Sequence, residues 1–152
     1  MQYLNRRRLI AAPLMLGMLT SLNVFNAQAD DDPTLTSAFA SFHTNDDDKD
    51  DNTILTISIE KGHDEYAKVD GITGKFDDHS DNGPFGVNIE GTVRKSALPG
   101  ATLTLKIRPS GNDTWKFNCF LELQFSDGSH QKFEWFGKHL NEGRGDILHL
   151  EM

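Results

Sequence analysis

Phe117-Asn118-Cys119-Phe120-Leu121-Glu122-Leu123-Gln124-Phe125 sets Phe, Cys, Leu, Leu and Phe at every second position. A period of two gathers those side chains on one face of an extended strand. The alternation returns in Leu55-Thr56-Ile57-Ser58-Ile59, in Phe85-Gly86-Val87-Asn88-Ile89 and in Leu103-Thr104-Leu105-Lys106-Ile107. Shorter versions are Phe133-Glu134-Trp135 and Leu148-His149-Leu150, and no window carries a convincing amphipathic helix. Turn formers fall between the runs: Asp81-Asn82-Gly83-Pro84, Leu98-Pro99-Gly100, Pro109-Ser110-Gly111-Asn112-Asp113, Ser126-Asp127-Gly128-Ser129 and Asn141-Glu142-Gly143. The pattern predicts strands over 36–43, 53–61, 66–76, 85–91, 101–108, 115–125, 130–136 and 145–151. Short strands separated by turns give an all-β fold, a single antiparallel β-sandwich of about eight strands spanning 36–152.

The chain has 152 residues, one Cys and a formal charge of −8 from 15 Lys+Arg and 23 Asp+Glu. One Cys excludes an internal disulfide and a multi-Cys zinc site. The acidic balance argues against a nucleic-acid partner, which needs a cationic footprint. Residues 1–29 read as a cleaved signal peptide: Arg6-Arg7-Arg8, an apolar stretch from Leu9 to Leu22, then Ala27-Gln28-Ala29. The stretch is short and interrupted by Pro13 and Gly17, so no transmembrane segment is expected after processing. The triple arginine loosely resembles a twin-arginine signal, with ordinary secretory export preferred. Cleavage removes three Arg and no acid, which takes the charge from −8 to −11. The expectation is an exported domain, periplasmic or secreted, with a loose mature N-terminus at 30–35. Cys119 lies on the apolar face of its strand and is expected to be a buried thiol.

In an antiparallel sandwich successive connections alternate between two poles. This parity places loops 44–52, 77–84, 109–114 and 137–144 at one pole. Three of them are acidic: Thr44-Asn45-Asp46-Asp47-Asp48-Lys49-Asp50-Asp51-Asn52, then Asp77-Asp78-His79-Ser80-Asp81-Asn82, then Gly111-Asn112-Asp113. Carboxylates so crowded repel unless water or a cation offsets them. Short acids with backbone carbonyls form the hard-oxygen set that calcium takes. The candidate ligands are Asn45, Asp46, Asp48, Asp50, Asp77, Asp78, Asp81 and Asp113. An EF-hand is rejected, because the run lacks the Gly at the sixth position and has no flanking helices. The competing reading is a solvated acidic loop that aids solubility.

The first acidic run, followed later by Pro109-Ser110-Gly111-Asn112-Asp113-Thr114-Trp115 with Phe117, resembles the PLAT (lipoxygenase-homology) and C-two sandwiches. That resemblance implies an eight-stranded sandwich with calcium held by Asp46, Asp48, Asp50, Asp78 and Asp113. The function expected is that of a non-enzymatic module that makes calcium-dependent contact with a membrane surface, a glycan or a protein. The alternatives are a small secreted hydrolase and a structural domain that calcium only stabilises.

Other signals are weaker. His43, His63, His79, His130, His139 and His149 are scattered without zinc spacing. Asp78-His79-Ser80 holds triad residue types, but neighbours in one loop cannot supply triad geometry. No Gly-x-Ser-x-Gly or phosphate-cradling Gly loop occurs. Trp115 reads either as a core aromatic or as a sugar-stacking platform. Of the consecutive Trp135 and Phe136, one must face outward or lie under a loop.

Overall fold

The computed structural model describes residues 32–111 and 114–152. The expected signal peptide and the candidate ligand Asp113 lie outside the described residues. Among the described residues nine strands form two antiparallel sheets. β1 (Leu35–Thr44), β4 (Asp81–Gly86), β7 (Thr114–Phe125) and β8 (His130–Asn141) make a four-stranded sheet in the order β4-β1-β7-β8. β2 (Ile54–Lys61), β3 (Asp64–Ile72), β5 (Asn88–Ile89), β6 (Thr102–Arg108) and β9 (Ile147–Glu151) make the second, in the order β5-β3-β2-β6-β9. A 3₁₀ turn, Lys95–Ala97, precedes β6. No helix among the described residues is long and apolar enough to cross a membrane.

Alternation builds the core as the sequence pattern requires. Ala38, Ala40 and Phe42 of β1 and Trp115, Phe117, Cys119, Leu121 and Leu123 of β7 face Leu55, Ile57 and Ile59 of β2 and Leu103, Leu105 and Ile107 of β6, and all are buried. Burial pushes the Cys119 thiol up to about 12, so it stays protonated and packs as a small apolar group. Near one pole the core is aromatic. Phe42 sits 5.2 Å from Trp115, 5.6 Å from Phe117, 6.3 Å from Phe76 and 6.2 Å from Phe85, ring centre to ring centre. Trp115 is 0 % exposed and donates its indole N–H to the Thr44 hydroxyl at 3.2 Å. It is therefore a core aromatic and not a sugar platform.

Four elements differ from the sequence-based expectation. The strand expected over 66–76 is β3, Asp64–Ile72, and 73–76 lies outside it. The run 85–91 is not one strand. β4 pairs with β1, β5 pairs with β3, and the buried Val87 between them carries the chain from one sheet to the other. The tetrad Asp81-Asn82-Gly83-Pro84 is part of β4 and not a turn. Proline is tolerated there because β4 is an edge strand with one side free of ladder bonds. Gly83 has φ +108°, and an added Cβ would come within 2.9 Å of the Ala40 carbonyl, so a side chain has no room. β8 also continues past 136 to Asn141, by inserting one extra residue opposite Phe117–Cys119 at Gly137 (φ +59°). At the start of the described chain, the stretch expected to be loose is tied down from Asp32. Its carboxylate accepts from the Ser96 N–H and hydroxyl, and Thr34 bridges Arg94.

Phe42→Ala removes the hub of this cluster and should lower stability by about 4 kcal/mol, the usual cost of deleting a buried aromatic. A urea titration followed by tryptophan fluorescence measures it. A loss within experimental error of zero would mean that the rings do not pack around Phe42.

Candidate functional site

The acidic loops do converge on one pole. Asn45 donates its N–H to the Lys116 carbonyl (2.8 Å) and accepts from the His79 N–H (3.0 Å). Lys49 pairs with Phe76 through two backbone bonds, and Gly74 N–H reaches the Asp51 carbonyl (3.0 Å). Ser110 N–H donates to the Thr53 hydroxyl (3.2 Å), which joins the third loop to the first. The fourth loop enters through Glu142, whose carboxylate accepts from the Asp50 N–H (3.1 Å) and the Thr53 hydroxyl (2.7 Å).

The charge that offsets the aspartates comes largely from lysines. Lys75 lies between two loops, 2.8 Å from Asp48 and 3.0 Å from Asp77. Hydrogen bonds to those two carboxylates raise its pKa above the ordinary lysine value. Lys116 of β7 holds Asp47, at 2.5 Å, and its pKa is raised for the same reason. Lys49 is fully buried. It donates to the carbonyls of Asp50 (3.0 Å) and Thr53 (2.7 Å) and lies over the Phe76 ring at 4.7 Å. Burial lowers the Lys49 pKa and raises that of Glu142, since each pays to be charged away from water.

Of the expected calcium ligands, Asp48 and Asp77 come together, with Lys75 between them. Asp46 reaches across to the His79 ring at 3.8 Å, and His79 holds a left-handed backbone (φ 55°). The Asn45 side-chain oxygen is already taken by Asn118 (3.4 Å). The Asp50 carboxylate lies against Gly111, where an added Cβ would overlap it. Asp78 is exposed. Asp81 is on β4, and its carboxylate meets His43 of β1 at 2.7 Å, away from the other acids' partners. Among the described residues no group of three or more His, Cys, Asp or Glu is placed to hold a metal ion.

A second site was not singled out from the sequence. The outer face of the five-stranded sheet is concave and holds a hollow of about 430 Å³. Its floor is Thr56, Ser58 and Glu60 of β2 with Thr104, Lys106 and Arg108 of β6, and Lys68, Asp70 and His149 stand at its sides. Ile54 and the half-exposed Ile147 add apolar surface. The polar groups form chains. Ser58 donates to Glu60, Thr104 lies 3.4 Å from the other Glu60 oxygen, and Thr104 meets His149 Nδ1 at 3.1 Å. Asp70 accepts from the Thr56 hydroxyl (2.6 Å) and the Gly71 N–H (2.8 Å), which hold its pKa below the usual carboxylate value. The lining of the hollow carries Lys68, Lys106 and Arg108 with Glu60 and Asp70, and Lys68 is paired with Glu65 at 3.0 Å. The sequence signal was present as the outward half of each alternating run: Thr, Ser, Glu on β2 and Thr, Lys, Arg on β6.

No family model, curated protein or solved structure matches the chain.

Glu142→Ala leaves the Asp50 N–H and the Thr53 hydroxyl without their acceptor and removes a carboxylate that favours the charged form of the buried Lys49. It should cost about 3 kcal/mol. Lys49→Met/Glu142→Gln, which removes both buried charges, should cost less than Glu142→Ala alone. Urea titrations of the variants compare them, and equal costs would show that the two charges do not depend on each other.

Proposed function

We propose that the chain is an exported, non-enzymatic binding module that holds a glycan against the concave outer face of its five-stranded sheet. The observation that carries this reading is the make-up of the hollow, with apolar contact at Ile54 and Ile147 and a dense set of hydroxyls, carboxylates and cations between them. A sugar ring offers the complement: apolar C–H faces and a rim of hydroxyls that donate and accept. Pockets that fix orientation with a few converging polar groups over apolar surface suit such ligands. Glu60 and Asp70 accept from sugar hydroxyls, while Lys106 and Arg108 donate to ring and hydroxyl oxygens. The Thr56 hydroxyl and the Gly71 N–H hold the Asp70 pKa below the usual carboxylate value, and its ionised carboxylate suits an acceptor of sugar hydroxyls. The leader-like segment 1–29 supports export.

Affinity electrophoresis through gels containing a β-glucan, a galactan or a polyuronate tests the proposal. At least one polymer should retard the protein, and Arg108→Ala should weaken the retardation about tenfold, the loss expected for one charge-assisted hydrogen bond. Unretarded migration in all three gels, or retardation that Arg108→Ala leaves unchanged, would refute it.

A second reading concerns calcium. Asp48 and Asp77, from different loops, already share one positive charge, the Lys75 amine. In this reading a calcium ion takes the place of that amine, and the ordered pole serves the partner or the stability of the domain. Titration calorimetry should then register calcium and not magnesium at millimolar concentration, the range of weak extracellular sites. Lys75→Ala should raise the affinity. Absence of heat in both proteins would dispose of the calcium site.

A further inference from the structure

We propose that the open edge of β8 pairs antiparallel with β8 of a second copy of this chain, which joins two four-stranded sheets into one of eight strands. β8 is the outermost strand of its sheet, beyond β7, and no described strand pairs with its far side. The other edges are guarded differently. β4 is six residues long and carries Pro84, β5 has two residues, and β9 has five. β8 has twelve residues and no proline. Long, unguarded edges present rows of N–H and C=O groups ready to template another strand.

The hairpin into β8 fixes which groups point outward. Phe125 N–H donates to the Ser129 carbonyl (3.0 Å), so this opposed pair is of the bonded type. Bonded and non-bonded pairs alternate along an antiparallel ladder. Leu123–Gln131, Leu121–Phe133 and Cys119–Trp135 are therefore bonded pairs. The N–H and C=O groups of His130, Lys132, Glu134 and Phe136 consequently turn away from β7 toward the open side. The run is bounded by the Gly128 turn at one end and the Gly137 bulge at the other, where Gly137 N–H goes to the Asn118 side chain (2.9 Å). The usable edge is thus 130–136, and its midpoint is Phe133.

A two-fold axis through that midpoint sets Lys132 opposite Glu134 of the second copy and Glu134 opposite its Lys132. These are bonded pairs, with both side chains on the outer face, where directly opposed opposite charges stabilise a sheet. Shifting the register by two either way sets Lys132 against Lys132 or Glu134 against Glu134. The register with the greatest overlap is therefore also the one that pairs opposite charges. Within one copy Glu134 has no ion-pair partner among the described residues. Lys132 reaches Glu122 only at 3.4 Å, and Glu122 has His130 at 3.3 Å as well. Phe136, 61 % exposed, falls opposite His130 of the second copy and loses exposed ring surface. Phe133 stacks on Trp135 at 5.8 Å with the rings 10° apart, and both are only partly buried. On the inner face each Phe133 meets its counterpart, and pairing extends that aromatic stack.

Sedimentation equilibrium on the purified protein, over a concentration series into the high micromolar range, tests this. The expected result is a monomer–dimer equilibrium. Lys132→Glu puts two glutamates opposite each other twice, and Glu134→Lys does the same with two lysines, so each variant alone should lose at least tenfold in dimerisation. An equal mixture of the two variants restores both opposite-charge pairs and should form a heterodimer. That recovery also shows that both variants are folded. A wild type that stays monomeric, single variants that dimerise like wild type, or a mixture that stays monomeric would each overturn the proposal. A partner of another kind on this edge would show itself as the first of these outcomes.

Discussion

One buried polar knot lets an acidic loop close the pole of this sandwich. Glu142 accepts from the Asp50 N–H and the Thr53 hydroxyl, while Lys49 reaches the carbonyls of Asp50 and Thr53 from the other side. Ser110 N–H adds the third loop through the same Thr53 hydroxyl. A loop with five Asp in six positions should spread apart under its own repulsion. Here its backbone is held by partners hidden from water, so its carboxylates can turn outward. The aromatic cluster lies directly beneath, and the Lys49 amine caps the Phe76 ring. A buried charge is costly unless it is hydrogen-bonded, and both members of this knot are.

The pole and the concave face divide the chemistry of the molecule. At the pole, lysines from separate stretches stand against the aspartates: Lys75 from the loop after β3, Lys116 from β7 and Lys49 from within the acidic run itself. On the concave face, cations and carboxylates are spaced by hydroxyls and share a hollow. The pole spends its polar groups on its own loops. On the face Lys106 and Arg108 are exposed.

Period-two patterning made the core legible. Phe117 to Phe125, Leu55 to Ile59 and Leu103 to Ile107 bury the side chains that the alternation selects. Strand parity expects loops 44–52, 77–84, 109–114 and 137–144 at one pole; described parts of the first three and Glu142 of the fourth do meet there, although 81–84 belongs to β4 and 137–141 to β8. What escaped was non-local. Glu142 looked like a turn residue beside Gly143, and nothing near it in sequence announces that Asp50 and Thr53 would need its oxygens. Lys75 sits 27 residues from Asp48, so their pairing depends on the loops meeting first. The hollow depends on the order β3-β2-β6-β9, which no single strand encodes. The sheet change at Val87 was hidden because Phe85-Gly86-Val87-Asn88-Ile89 keeps perfect alternation while its backbone changes partners.

That change of partners makes the two flanks of the sandwich unequal. Along one flank a continuous peptide stitches the layers together, since β4 and β5 are separated only by Val87, whose N–H is bonded to the Ala38 carbonyl (2.9 Å). Along the other flank the layers meet where the Trp135 indole touches the Glu151 carbonyl at 3.3 Å. The body is bound like a book, with its spine at Val87 and its leaves free at β8 and β9. The flank joined by a continuous peptide at Val87 is therefore expected to outlast the flank where β8 and β9 meet when the body opens thermally.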